Sequence, residues 1–272
     1  IVTGGIQRGF SAAADCVLEK QPGAVPEGRA CSDAEFDAIL TEIQDRLASL
    51  DANARRWMWA SSPPEASVHR LIELVRTVAE AIAWGERHEA GLFDIFCEHQ
   101  TLASFVALLR SPFAPAPLKV QALQTLSVVV QNARRDTSLY YLLSGGHLSA
   151  LCREDFSSSH VDEEVGAWFV AFLKSVAVRL HGSSARLFLD TATGDFPIFV
   201  QAAGFVDFRE SMVRTSARTA LLKLLALQEP SVRKASAAHA CRLVAPRLAG
   251  ALRTAWAEAN AALRDREAAA LR

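Results

Sequence analysis

Cysteine, tyrosine and methionine are scarce in this chain, and each scarcity removes a class of chemistry. Five cysteines (Cys16, Cys31, Cys97, Cys152 and Cys241) among 272 residues are odd in number, far apart and never in a CxxC pair. Neither a zinc ribbon nor a thioredoxin-type motif can be built from them. None of Asn53, Asn132 and Asn260 heads an Asn-x-Ser/Thr acceptor for N-glycosylation. Both features are expected of a reducing, cytoplasmic compartment. Charge of one sign is not in excess, with 29 Lys plus Arg against 30 Asp plus Glu and a net charge of −1. A protein that wraps nucleic acid electrostatically usually carries a large basic surplus, so no nucleic-acid partner is expected. Long hydrophobic runs are missing too, because charges such as Lys174 and Lys223 interrupt every apolar stretch. None reaches the ~18 residues of a membrane span. GxxxxGKS, GxGxxG and HExxH are absent, so no phosphate cradle or zincin site is available, and neither an enzyme nor a cofactor is expected.

What the chain does have is apolar mass: half its residues are hydrophobic, 22% are charged and the mean hydropathy is +0.14. That excludes global disorder and leaves room for one large domain or two modest ones. Residues 1–32 mix Gly, Ala and Pro without period and read as a tail or linker, and a start at Ile1 is expected of a fragment or processed chain. Helical spacing begins at Asp33, with Phe36, Ile39, Leu40, Ile43, Leu47 and Leu50 three and four apart, giving an N-terminal helical unit over 33–62. Ser61-Ser62-Pro63-Pro64 ends it. The next pattern runs from Glu65 to Trp84, with Gly85 expected as its C-cap. A third, over 162–180, starts on Asp162-Glu163-Glu164, which suits the positive end of the helix dipole, and carries Val165, Trp168, Phe169, Phe172 and Val176 as its buried stripe.

Alternating β patterns are absent, and the expected class is all-α. Helical units open near Glu65, Pro117, Asp162 and Arg209, at separations of 52, 45 and 47 residues. These approach the ~40–47-residue period of HEAT and armadillo repeats. The expected architecture is therefore an armadillo/HEAT-like α-solenoid of stacked helical pairs, with 65–230 as the repeat domain. Basic helices over 231–272 continue it. In that last stretch Arg233, Lys234, Arg242, Arg247, Arg253, Arg264, Arg266 and Arg272 face Glu258, Asp265 and Glu267, a balance of +5. Arg233, Lys234, Arg242 and Arg247 are candidates for contact with an anionic membrane. A solvated arginine-rich face is the plainer alternative.

Other constellations are weaker. His147, Cys152 and His160 lie within fourteen residues, but no strong zinc spacing matches them and a fourth ligand would have to come from Asp155 or further away. Cys97 and His99, two apart on a helix, diverge. Ile1-Val2-Thr3-Gly4-Gly5 faintly resembles a mature trypsin-like start, yet Gly194-Asp195 continues into Phe196-Pro197 rather than a serine nucleophile motif. The acidic loop from Asp190 to Asp195 has Ala192 and Pro197 where calcium needs oxygen ligands.

Seven ordered blocks carry a family resemblance over 69–227. They are Ala83-Trp84-Gly85-Glu86, Phe93-Asp94-Ile95-Phe96, Val120-Gln121-Ala122-Leu123-Gln124-Thr125-Leu126, and Thr137-Ser138-Leu139-Tyr140-Tyr141-Leu142-Leu143-Ser144. After them come Phe172-Leu173-Lys174-Ser175, Asp195-Phe196-Pro197-Ile198, and Glu210-Ser211-Met212-Val213-Arg214 with Arg218-Thr219. In this order they resemble the FPL-domain family, whose animal members are the C-type-lectin-domain 16A proteins. The family's naming triplet reads Phe-Pro-Leu, and here it is Phe196-Pro197-Ile198. The resemblance implies a cytoplasmic, non-catalytic scaffold, peripheral on endosomal and autophagic membranes. It would act in lysosomal delivery, autophagy and mitophagy by binding protein partners, trafficking machinery and ubiquitin ligases among them. Family chains are also expected to be much longer.

Within those blocks two sets are candidate partner-binding residues. Tyr140 and Tyr141 are the only tyrosines, between Asp136 as helix cap and Gly145-Gly146 as helix end. The alternative has Tyr140 packed inward and the Tyr141 hydroxyl on a helix terminus. Arg214 and Arg218, with Glu210 at i, i+4 and i+8, could grip an acidic peptide or phosphoinositide. The alternative is an internal ladder to Glu210. The other function kept open is a peripheral binder of anionic membrane working through the basic C-terminal helices.

Overall fold

Each helix start in this chain needs something to satisfy its free N–H groups, and local side chains supply several. Asp162 does so at 162, accepting from the backbone N–H of Glu164 at 2.9 Å and of Val165 at 3.4 Å. Ser32 and Glu35 form a reciprocal capping box at the first described helix. Glu229 receives the N–H of Val232 at 2.8 Å, and Pro230 follows it as the first helical residue.

The structure is a computed structural model that describes residues 31–60, 65–88, 91–158 and 160–270, with the side chains of 53–60, 265 and 267–270 outside the description. The tail and the Ser61–Pro64 break expected from sequence lie outside, apart from residues 31 and 32. The described residues form helices and no strand: α1 (Asp33–Ala60), α2 (Glu65–His88), α3 (Leu92–Glu98), α4 (Thr101–Arg110), α5 (Ala116–Asn132), α6 (Asp136–Ser144) and α7 (His147–Leu151). They continue with α8 (Glu163–Arg179), α9 (Gly182–Ala185), α10 (Pro197–Gly204), α11 (Ser211–Leu225), α12 (Pro230–His239), a π-helical turn (Ala240–Val244) and α13 (Ala245–Ala270). Among the described residues no single helix is long and apolar enough to cross a membrane.

α2 packs on α5, α5 on α8 and α8 on α11. These are the four helices that open the sequence units, at Glu65, Ala116, Glu163 and Ser211. Small buried residues line the row: Ala79 and Ala83 on α2, Ala122 and Ser127 on α5, Ala167, Ser175 and Ala177 on α8, and Ser216, Ala217 and Ala220 on α11. Side chains this small let ridges of one helix sink into grooves of the next. The other helices pack around the row, α1 on α2, α3 and α4, α4 on α5 and α7, and α10 on α8 and α11. One aromatic seam runs through the middle, where Phe156 stacks on Phe169 with ring centres 4.0 Å apart and Phe169 neighbours Phe172 at 6.3 Å.

The expected C-cap at Gly85 is not one. α2 continues to His88, and Gly85 is buried within it. A Cβ there would sit 3.2 Å from the Cβ of Leu92, so glycine serves close approach of α3 rather than a turn. Asp136 likewise makes no capping bond, and the acceptor that α6 uses comes from elsewhere in the chain.

Trp168, Phe169 and Phe172 are buried as the helical phase of α8 requires, Phe172 completely. Phe172→Ala is expected to cost about 3–5 kcal/mol, the range for emptying a packed aromatic site. Thermal or denaturant unfolding of the variant measures it, and a curve matching the parent would mean the α8 face is assigned wrongly.

Candidate functional site

The best-built polar cluster lies where α2 meets α6. Glu86, in the last turn of α2, has a side chain only 1% exposed. Its carboxylate accepts the backbone N–H of Arg134 at 2.8 Å and of Arg135 at 3.4 Å, and the Ser138 hydroxyl at 3.0 Å. The Arg135 guanidinium donates to it at 3.3 Å and reaches Asp94 of α3 at 3.5 Å. Glu86 thus replaces the missing local cap of α6 and places a negative charge at that helix's positive end. Burial pushes its carboxyl upward, but the N–H of Arg134, the Ser138 hydroxyl, the N–H of Arg135 and the Arg135 charge outweigh burial and leave it below the ordinary glutamate range. The sequence placed Glu86 in a recognisable block without giving it a role, since its partners are 48 to 52 residues away.

On α6, the two tyrosines part. Tyr140 points to solvent, 64% exposed, which reverses its inward alternative. Tyr141 turns in, donates from its hydroxyl to the Cys97 carbonyl at the end of α3 at 3.3 Å, and meets Phe93 edge-on at 6.1 Å. The two do not form one exposed pair.

On α11, Arg214 is half-buried and donates from one nitrogen to the carbonyls of Phe208 at 2.8 Å and Arg209 at 2.6 Å. It clamps the turn before its own helix instead of pairing with Glu210. Glu210, half-buried, is raised above the ordinary carboxylate range by burial and by the nearby charge of Glu163. Arg218 is exposed, and Leu222 and Leu225 follow it at i+4 and i+7 on the same side of the helix, themselves exposed.

The basic candidates near the C-terminus also divide. Arg233 and Lys234 are exposed on α12. Arg247 is engaged, donating to the carbonyls of Ala203 at 2.9 Å and Gly204 at 3.2 Å and pairing with Asp207 at 3.3 Å. Arg242 donates at 3.0 Å to Nδ1 of buried His239, whose Nε2 lies 3.1 Å from the Gly194 carbonyl. A guanidinium only donates and a carbonyl only accepts, so these partners select the neutral Nε2–H tautomer. Lys234, His239 and Arg242 share a cleft of about 710 Å3 with the 191–195 loop, which Asp190 shapes by accepting the Ala192 N–H at 2.9 Å.

His147, Cys152 and His160 do not form a ligand set; among the described residues no three such side chains are placed to hold a metal. Cys152 is buried, which pushes its thiol up to about 12. Four exposed residues that the sequence reading passed over stand on α13: Leu248, Leu252, Trp256 and Leu263. Their i, i+4, i+8 and i+15 spacing was legible, but they are interleaved with alanine and arginine that drew attention to charge instead.

The FPL family profile, described as "Uncharacterised conserved protein", matches residues 75–225. That match takes in α2 from Val75 onward and the whole of α5, α8 and α11, and Glu86, Tyr140, Arg214 and Arg218 with them. Among curated proteins, Protein CLEC16A homolog of Drosophila melanogaster is 36% identical over 163 residues, covering 60% of this chain and 15% of that protein. Protein CLEC16A homolog of Caenorhabditis elegans is 34% identical over 162 residues, covering 60% and 18%. Protein TRANSPARENT TESTA 9 of Arabidopsis thaliana is 31% identical over 171 residues, covering 62% and 20%. The matched part therefore spans a fifth or less of these relatives' length.

Removing the Glu86 charge tests the cluster. Glu86→Gln leaves half-exposed Arg135 and two backbone donors facing a neutral amide, and a loss of about 1.5–3 kcal/mol is expected, the range for hydrogen bonds to a charged group. The folded carboxyl titrates below its unfolded value, so its contribution is complete above the unfolded value and fades as pH falls through the folded one. Unfolding followed against pH should show parent and Gln variant converging in acid. Curves separated by a constant gap down to the acid limit would contradict this.

Proposed function

The chain belongs to the FPL family, and from that premise we propose that it is a non-catalytic, armadillo/HEAT-like scaffold of endosomal-lysosomal membrane trafficking and autophagy, mitophagy included, that works by binding protein partners. The solenoid reading is supported by the bonds between neighbouring units. Thr125 to Val75, Gln131 to Ser175, Arg135 to Glu86, Arg179 to Ala133, Gln201 to Glu154 and Arg247 to Ala203 join residues 44 to 50 apart. One spacing recurring through the chain is what stacked repeats of one size produce. Such stacking consumes apolar faces internally and leaves extended surface for recognition. Trafficking and autophagy come from the family resemblance.

The observation that carries the binding role is the outer face of α11. Arg218, Leu222 and Leu225 stand exposed together on a helix whose other face is buried against α8. Arginine beside exposed leucine suits an acidic amphipathic segment, the mixed apolar and charged chemistry found at interface centres. Tyr140 offers a second exposed aromatic anchor on α6. Trafficking proteins and ubiquitin ligases are the partners proposed, at cytoplasmic faces of endosomal and autophagic membranes.

The two arginines of α11 separate recognition from stability. Arg218→Glu should leave the melting temperature nearly unchanged, as surface substitutions do within about 0.5 kcal/mol. It should reduce capture of trafficking proteins from cell extract, read by quantitative mass spectrometry. Arg214→Glu should instead lower stability by about 1.5–3 kcal/mol, because two carbonyls lose a charged donor. Undiminished capture by a stable Arg218→Glu protein would reject the α11 face as a docking site.

A further inference from the structure

α13 is exposed on nearly every side. From Ala251 to Arg264 all side chains except that of Asn260 are open to solvent. The helix is held to the body at its first turn, by the π-helical turn and by the bonds of Arg247 to Ala203, Gly204 and Asp207. Yet its outer part is not the polar helix such exposure calls for. Leu248, Leu252, Trp256 and Leu263 are 46%, 71%, 69% and 56% exposed, and at 100° per residue they fall on one arc. Ala251, Ala255, Ala259 and Ala262 fill the same side, making a narrow, smooth apolar stripe.

We propose that this stripe lies in the surface of an anionic lipid bilayer, with Leu252 and Trp256 among the acyl chains and arginines at the phosphates. The inference stands apart from the scaffold reading. Chemistry selects the bilayer over other occupants. The continuous stretch 231–272 carries eight basic and three acidic residues. Exposed Arg233, Lys234 and Arg253 have no carboxylate partner among the described residues. Arg253 and Arg264, eleven residues apart, flank the stripe on one side, where phosphate groups can meet them while the leucines insert. Tryptophan favours this interfacial depth because its ring is apolar and its N–H can stay wet. A second copy fits worse. Pairing stripe to stripe needs large apolar residues in a heptad, and here the intervening core positions are alanines. A membrane demands no complementary shape, and a projecting helix can lie on it without moving the body.

The whole chain, floated with phosphatidylcholine vesicles containing about one third phosphatidylserine, should bind, and binding should weaken as salt rises. Phosphatidylcholine vesicles alone should bind it much less. Trp256 emission should shift to the blue on the anionic vesicles, a shift missing from a Trp256→Phe protein that still floats. Leu252→Glu/Trp256→Glu should cut binding about tenfold or more while leaving the melting temperature in place, since both residues are exposed. No flotation of the parent, equal binding to neutral vesicles, an unchanged Trp256 spectrum, or full binding by the double Glu variant each overturns the proposal. A dimer of the parent in solution that the double Glu variant dissolves also overturns it, assigning the stripe to a second copy. Partner capture through Arg218 is read in extract cleared of membranes, so either reading can fail without the other.

Discussion

A helix apolar over more than half of its circumference has to be covered on both flanks, and α5 and α8 impose that constraint on everything around them. On α5, buried Leu118, Val120, Ala122, Leu123, Leu126, Val129 and Val130 span roughly 200° of the circumference at 100° per residue. On α8, buried Val165, Trp168, Phe169, Val170, Phe172, Leu173 and Val176 cover an arc of about the same width. Neither helix could survive as the outside of a bundle, so each has a long helix on both flanks and short helices over the remaining face. α2 and α11 bound the row, and α11, buried along one stripe only, leaves Arg218, Leu222 and Leu225 outward.

Polar groups then fix how the row is registered. Apolar contact is non-directional and tolerates sliding, whereas a buried carboxylate with five donors does not. Glu86 ties the end of α2 to the start of α6 and, through Arg135, to Asp94 on α3. Thr125 to the Val75 carbonyl and Gln131 to the Ser175 hydroxyl do the same across α2–α5 and α5–α8. Arg179 donates to the Ala133 carbonyl just past α5, and Arg247 to the last carbonyls of α10, so arginines from later units cap the ends of earlier helices. Because these groups are engaged, they are poor candidates for gripping a partner. Of the candidate binding residues read from the sequence, Tyr140, Arg218, Arg233 and Lys234 remain exposed without such a bond.

The sequence by itself determined that the fold is all-α and where its principal helices open. Spacing of three and four placed α1, α2 and α8 closely, and Asp162 announced the start of α8, because periodicity and capping act within a few residues. The family blocks were legible for the same reason. Tertiary structure decided the rest. It carried α2 past Gly85, since a glycine that ends a helix and one that admits a neighbour look alike until Leu92 is in place. Tyr141 was turned in and Tyr140 out, Arg214 went to a turn and Arg218 to solvent, and Arg247 was spent on α10. α13 was left bare, so that Trp256 and its leucines, whose spacing matches that of a core stripe, became surface. Tyr141 and Arg247 depend on residues 44 positions away, Gly85 and Arg214 on how the chain folds back within seven residues, and α13 on the absence of a neighbour, and helical periodicity encodes none of these.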